Sequence, residues 1–383
     1  MTFAPGPLGA RTRTLEDKFK RLHWGILTVL CALAAIGVIM HLSAADGSWA
    51  GRPLSHGLRF GVVLAITIGL AMLDVRFWLA IAYPLYALAL LMLVGVEAAG
   101  SVHMGAQRWL DFGPISLQPS EVMKIAILLA LARYYHHLDP KYSGNFFALI
   151  PPVLMIGAPV ALIAHQPDLG TALLLAGTGA GVMFLAGLQW RYIVAGLIAA
   201  GAGGFWAYEF ALHDYQRDRL KTFLDPDADP LGAGYHVAQS KIAIGSAGIF
   251  GQGYQQGSQS QGDFLPEKHT DFIFTMIAEE FGLVGAFIVL GLFCILLMLT
   301  MMVAMRARTL FARLAAAGVG VTTALYVLIN TSMVIGLVPV VGIPLPLLAF
   351  GGTAMVTIMM GMAIVLSVHL NRENAPSSRG LLW

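Results

Sequence analysis

Charge is scarce in this chain, and Phe264-Leu-Pro-Glu-Lys-His-Thr-Asp271 puts a carboxylate directly ahead of an unbroken apolar run. An ionisable group at the mouth of a membrane helix is costly and is retained mainly for function. Lys268, His269 and Thr270 precede Asp271, and a carboxylate with basic neighbours at a cavity mouth suits a general base acting on a hydroxyl. The structural alternative is an aspartate favoured by the helix dipole, worth ~0.3–1 kcal/mol. Glu279 follows eight residues later, about 80° round the helix and ~12 Å deeper.

Other chemistry-bearing groups come in short motifs. Gln118-Pro119-Ser120-Glu121 followed by Lys124 reads as a helix start, with proline at the first turn. Glu121 and Lys124 share a face, so they form either a neutralising ion pair or an exposed pair whose lysine binds a pyrophosphate as a point charge. Gln166-Pro167-Asp168 makes a tight turn in which Asp168 can cap the next helix, bind a ligand, or do both. Arg108 and Trp109 stand in a polar stretch, 98–118, and Arg217 opens a long loop, 213–271. The alternating Asp225, Asp227 and Asp229 suggest calcium, but an EF-hand needs glycine at its sixth position and glutamate at its twelfth. Those positions hold Pro230 and His236. The sequence therefore names no metal ligand set.

The elements that must carry these groups follow from composition. Hydrophobic residues make up 57% of the chain, charged residues 11%, and the mean hydropathy is +0.74. A soluble domain could not cover its surface on so few charges, so the chain is a polytopic membrane protein. Apolar runs predict spans at 24–42, 57–73, 77–97, 119–135, 146–164, 169–188, 191–212, 272–304, 311–335 and 345–370. The expected fold is all-α, with ten transmembrane helices and one large loop between the seventh and eighth. The eighth run is long, so its helix should tilt or project beyond the bilayer. Continuous runs exclude a barrel, whose strands would alternate. Gly177, Gly179 and Gly181, with Gly201, Gly203 and Gly204, suit close helix packing. Short amphipathic helices are expected around Tyr235–Ser246.

Basic residues set the orientation. Arg11, Arg13, Lys18, Lys20 and Arg21 precede the first run, and Arg76, Arg133, Lys141, Arg191, Arg306, Arg308, Arg313, Arg372 and Arg379 share that side. The positive-inside rule then makes the tails 1–23 and 371–383 cytoplasmic around a membrane domain at 24–370, and the first helix a signal anchor. Cys31 and Cys294 fall inside spans and predict no disulfide, and no basic patch suggests nucleic acid. Arg108, Glu121, Lys124, Asp168, Arg217 and Asp271 all fall on the outer side, where no soluble nucleotide donor is expected. An outward-facing enzyme must use a donor that carries its own leaving group.

In order along the chain, these motifs resemble the SEDS family (shape, elongation, division and sporulation proteins), and within it the rod-shape branch rather than the division branch. The strings are Gly105-Ala-Gln-Arg-Trp-Leu-Asp111, Gln118-Pro-Ser-Glu-Val-Met-Lys124, Gln166-Pro-Asp-Leu-Gly-Thr171, Asp225 to His236, Gln239 to Gly245, Phe264 to Phe274 and Gly336 to Pro346. One departure is Ala349-Phe350, where the family usually has Ser-Tyr before the paired glycines. The resemblance implies a peptidoglycan glycosyltransferase of the cytoplasmic (inner) membrane that polymerises lipid II into glycan strands during cell elongation. It also implies a partner, a class B penicillin-binding protein acting as transpeptidase, and further elongation-complex proteins. Asp271 matches the family's presumed catalytic aspartate. Arg108, Trp109, Glu121, Lys124, Asp168, Arg217 and His269 become substrate-binding candidates, and magnesium or manganese is the cofactor class the reaction invites. Two rivals remain: a lipid II flippase or other transporter, and a non-catalytic scaffold that activates a penicillin-binding protein. The absence of a visible internal repeat weighs against a transporter.

Overall fold

The computed structural model describes residues 15–371, apart from 104–105, 113–114, 140, 142–144, 167, 211–216, 218–232, 263 and 266–267. Asp225, Asp227 and Asp229, residues 1–14 of the predicted N-terminal tail and residues 372–383 of the C-terminal tail lie outside the described residues.

Helices dominate the chain. They are α1 (Leu15–Lys20), α2 (Trp24–Ser43), α3 (Arg52–Ala71), α4 (Val75–Ala99), α5 (Pro119–His137), α6 (Ile150–His165), α7 (Leu169–Leu185), α8 (Trp190–Phe210), α9 (Ala233–Ser246), α10 (Ser258–Gln261), α11 (Ile273–Met305), α12 (Leu310–Val334) and α13 (Gly352–Asn371). Among the described residues, seven helices are long and apolar enough to cross a membrane, and α7 is a shorter apolar one. The expected helix near Tyr235–Ser246 is α9, held by the Ser240 hydroxyl against Thr275 Oγ1 and the Val334 carbonyl, each at 2.7 Å.

Burial sorts the bundle. In α12 and α13, 67% and 78% of the most apolar stretch is buried, against 17% in α3 and 22% in α4. The α5 helix is the axis: Met123 to Ala132 are all buried, and α4, α7, α12 and α13 pack around it. Gly177, Gly179 and Gly181 allow close approach, since a Cβ there would press on Leu325, Ile156 and Val321. Gly201, Gly203 and Gly204 do not: a Cβ on any of them meets nothing within 4 Å among the described residues.

Four expectations are corrected. The fold is not purely helical, because β1 (Ser101–His103), β2 (Ala106–Phe112) and β3 (Ile115–Leu117) form an antiparallel sheet in the order β1-β2-β3. The Gly113-Pro114 dipeptide between Ala106–Phe112 and Ile115–Leu117 is a turn signal hidden inside a segment read only as polar. The α3 helix starts at Arg52 rather than 57, because its first turns carry polar residues behind Pro53 at the start.

The last helix starts at Gly352 rather than 345. Leu345, Leu347 and Leu348 are fully buried, but they lie in a loop punctuated by Pro344 and Pro346, with Leu347 at φ +69°. The long eighth run is broken. Gly282 takes φ +69°, ψ −162°, a region open essentially only to glycine, and divides α11 into 273–281 and 283–305. The loop after α9 fills the break. Gln252 and Gly253 N–H groups donate to the Glu279 and Glu280 carbonyls, and the Gly248 and Ile249 carbonyls accept from Leu283 and Val284. Non-helical backbone inside a bundle is tolerated when protein satisfies it in this way.

Candidate active site

The site is assembled at the end of the bundle that carries the β-sheet and the loop leading into α11. A cavity of about 490 Å³ opens there, bounded by Arg108 and Trp109 of β2, Gln118, Glu121 and Lys124 at the head of α5, and Asp168 and Thr171 at the head of α7. Tyr326, Gly342, Ile343, Pro344 and Thr353 close the other wall. Five of the eight residues singled out from sequence thus meet in one cavity: Arg108, Trp109, Glu121, Lys124 and Asp168.

Each polar group is held from more than one side. Lys124 is only 3% exposed, and its Nζ donates to Glu121 Oε1 at 2.7 Å and to the Tyr326 hydroxyl at 2.6 Å. Glu121 Oε2 accepts a short bond from Thr357 and lies 3.5 Å from the Tyr326 oxygen. The ion pair expected from the i, i+3 spacing is therefore real, and it also lines the cavity. Asp168 performs two tasks at once. Its Oδ1 accepts from the Thr171 N–H at 3.1 Å, capping α7, while Oδ2 lies 3.7 Å from Arg108 Nη1. Arg108 Nε also reaches the Gln166 carbonyl at 3.4 Å.

Asp271 sits at the rim, half-buried, in the turn before α11. The helix cap falls to Phe272, so the aspartate is not the capping residue itself. A Cβ built on cavity-lining Gly342 would lie 3.7 Å from Asp271 Oδ2, which puts the carboxylate against that wall. Asn330 Nδ2 donates to both the Asp271 and Ile343 carbonyls at 2.8 Å, locking the turn to the wall.

Two candidates stand elsewhere. His269 is not among the lining residues: its Nε2 accepts from Arg52 Nη1 at 2.7 Å, and its carbonyl accepts from the Phe350 N–H at 2.8 Å. Arg217 is described while its sequence neighbours are not, and it is not among the lining residues. The deeper carboxylates serve the fold. Glu279 accepts from the Gln259 and Ser260 N–H groups at 2.7 and 3.0 Å, and Glu280 accepts from the Ser43 hydroxyl at 2.5 Å.

Sequence reading missed Tyr326, Thr357, Asn330 and Thr353. Tyr326 and Asn330 are four apart in an apolar run and share a helix face, which is the one signal that could have flagged them. Among the described residues, no three His, Cys, Asp or Glu side chains are grouped to hold a metal ion.

A second, apolar groove of about 800 Å³ adjoins the cavity. It runs between α3, α5 and α13 past Leu58, Val62, Val122, Ile125, Val356 and Met360, and shares Trp109, Gln118, Glu121 and Thr353 with the polar cavity.

The family of cell cycle proteins that unites FtsW, RodA and SpoVE matches residues 23–374. The chain belongs to that family. This is the SEDS family, and membership covers nearly the whole chain. Peptidoglycan glycosyltransferase MrdB of Escherichia coli K12 is 43% identical over 363 residues, 94% of this chain and 96% of that protein. A chain from a solved peptidoglycan synthase complex, described as coordinating polymerisation and crosslinking, superposes with a TM-score of 0.81 at 31% identity, covering 92% of this chain and 99% of that one. The rod shape determining protein RodA of Thermus thermophilus gives a TM-score of 0.66 at 29% identity, over 92% of this chain and 97% of that one.

Proposed function

We propose that this family member is a peptidoglycan glycosyltransferase that polymerises lipid II on the outer face of the cytoplasmic membrane. Its closeness to MrdB supports the activity class. One observation carries the substrate reading: a polar cavity with a carboxylate at its rim adjoins an apolar groove, the two sharing Trp109, Gln118, Glu121 and Thr353 in their linings. That is the shape of a ligand with a sugar head and a long hydrocarbon tail. A carrier moving head groups across the bilayer would need a polar path, and the groove beside the cavity is apolar.

In the mechanism we infer, Asp271 takes the proton from the acceptor sugar's 4-hydroxyl. The oxygen attacks the anomeric carbon of the donor and undecaprenyl pyrophosphate departs with the bonding pair. A single displacement turns an α-linked pyrophosphate into a β-linkage, so the reaction inverts. Lys124 and Arg108 orient the head group, Trp109 stacks on sugar where cavity and groove meet, and Asp168 holds Arg108. Arg217 and His269 support the mouth from outside the lining. We assign a divalent cation, magnesium or manganese, to the substrate's phosphates, since the described side chains form no cage for one. The displacement itself does not run through it.

In this reading the chain crosses the membrane ten times, α5, α7 and α8 adding to the seven longer apolar helices. Both termini are cytoplasmic, and a class B penicillin-binding protein docks beside the bundle to crosslink the product. The test is purified protein with labelled lipid II in detergent and in vesicles. Glycan polymer is the expected product. Translocated but unpolymerised lipid would establish the transporter, and neither product would establish the scaffold.

A further inference from the structure

The charges of the polar cavity cancel. Lys124 is spent on Glu121 at 2.7 Å and Arg108 faces Asp168 at 3.7 Å, while Asp271 adds a further carboxylate at the rim. A lipid-linked pyrophosphate carries at least two negative charges, and a neutral-to-negative site would repel it. The required cation must also stand in a particular place. The pyrophosphate lies between tail and sugar, so it must sit where the apolar groove meets the polar cavity.

One side chain meets both conditions. Arg59, on the second turn of α3, lines the apolar groove, where the other charged lining residue is the already paired Glu121. Its guanidinium lies 4.9 Å from the centroid of the Phe350 ring, and Nη1 would be 3.8 Å from a Cβ on Gly352. Gly352 precedes Thr353, a residue common to groove and cavity. Among the described residues no carboxylate lies within 4 Å of Arg59, which distinguishes it from Arg108 and Lys124. A guanidinium over an aromatic face is held in orientation and keeps its N–H fork for a phosphate.

We propose that Arg59, oriented by Phe350, is the pyrophosphate-binding residue of the lipid donor. The proposal rests on the lipid-donor reading above, and deepens it. Arg52, on the same helix as Arg59 and paired with His269 of the turn before α11, extends the positive rim beyond it.

The experiment measures binding of undecaprenyl pyrophosphate, undecaprenyl monophosphate and undecaprenol to the purified full-length chain, with magnesium and with chelator. The wild-type chain is expected to prefer pyrophosphate over alcohol. Arg59→Gln should weaken pyrophosphate binding by about 10–100-fold, the worth of one or two charge-assisted hydrogen bonds, and leave undecaprenol binding unchanged. Arg59→Lys should fall between, since lysine keeps the charge but not the fork. If thermal unfolding shows that Arg59→Gln does not fold, Arg59→Lys decides in its place. Phe350→Leu is expected to cost only a few-fold. Unchanged pyrophosphate affinity in Arg59→Gln, or in Arg59→Lys where that variant decides, overturns the proposal. So does a preference that survives Arg59→Gln in magnesium and disappears only with chelator, because the metal ion would then supply all of the charge. A preference for pyrophosphate that depends on Arg59 in a protein that forms no polymer would sink the glycosyltransferase reading and leave this one standing.

Discussion

Asp271 and the Glu121–Lys124 pair make opposite demands on their surroundings. As the proposed base Asp271 needs its partial exposure at the rim to take a proton, and the turn carrying it is fixed by Asn330, which donates to its backbone carbonyl. Asp271→Asn should fold with unchanged thermal stability and lose polymerisation by ~10²–10⁴-fold, the usual worth of general-base catalysis. Residual activity above about a tenth of wild type in a lipid II assay would remove the base role. The pair, by contrast, is buried. Lys124→Met leaves Glu121 with Thr357 and Tyr326 but no counter-charge, which typically costs ~3–5 kcal/mol, whereas removing both charges is often near neutral. Lys124→Met should therefore lower the unfolding temperature, and Glu121→Gln with Lys124→Met should restore it while activity stays low. An active double variant would make the pair purely structural. Both sites were legible in the sequence because a charge in an apolar run announces itself. Tyr326 and Thr357 were not, since hydroxyls in spans are common and only the fold shows which ones meet a carboxylate.

The helices themselves were largely legible, because hydrophobic runs fix where a chain can cross. The breaks in those runs were not. Hydropathy saw one long run at 272–304, but Gly282 splits it, and the carbonyls it frees are taken by a loop distant in sequence. A single glycine among apolar residues carries no mark of that partner. The break matters for the site because α11 opens two residues after Asp271, and its short first piece is staked by Glu279 to α10 and by Glu280 to α2. Gly282→Ala puts a Cβ into the Gly251 nitrogen and the Ile249 carbonyl, on backbone that costs roughly 1–3 kcal/mol for a non-glycine residue. Its unfolding temperature should drop and polymerisation should fall with it. Gly291→Ala, on the same helix with nothing within 4 Å of its Cβ, is the control and should match wild type. Equal stability of the two variants would mean the break is incidental. The small sheet was lost to the sequence reading for a related reason: β1 and β3 are three residues each, and the seven of β2 carry no apolar–polar alternation to mark them as a strand.

Considered whole, the molecule separates support from access. The buried helices α5, α12 and α13 form a rigid interior, while α3, largely uncovered, forms one wall of the apolar groove. Leu58 and Val62 of that wall are 62% and 61% exposed, so they face the lipid and the groove rather than a packed core. In the proposed reaction this wall would serve as the lateral opening that a sugar on a lipid tail requires, since the tail must stay in hydrocarbon while the head reaches Asp271. If the groove holds the tail, filling it should harm long-tailed substrate and spare short. Val62→Trp has room to fold, and displacing two or three methylenes at ~0.8 kcal/mol each should cut kcat/KM for full-length lipid II by about 10–50-fold. The same variant should handle a lipid II analogue with a short tail nearly as well as wild type does. Ile198→Trp, on α8 at 67% exposure and outside the groove lining, should change neither. Equal loss on both substrates would point to a distorted cavity. No loss on either would move the tail, and the entry route with it, to another face of the bundle.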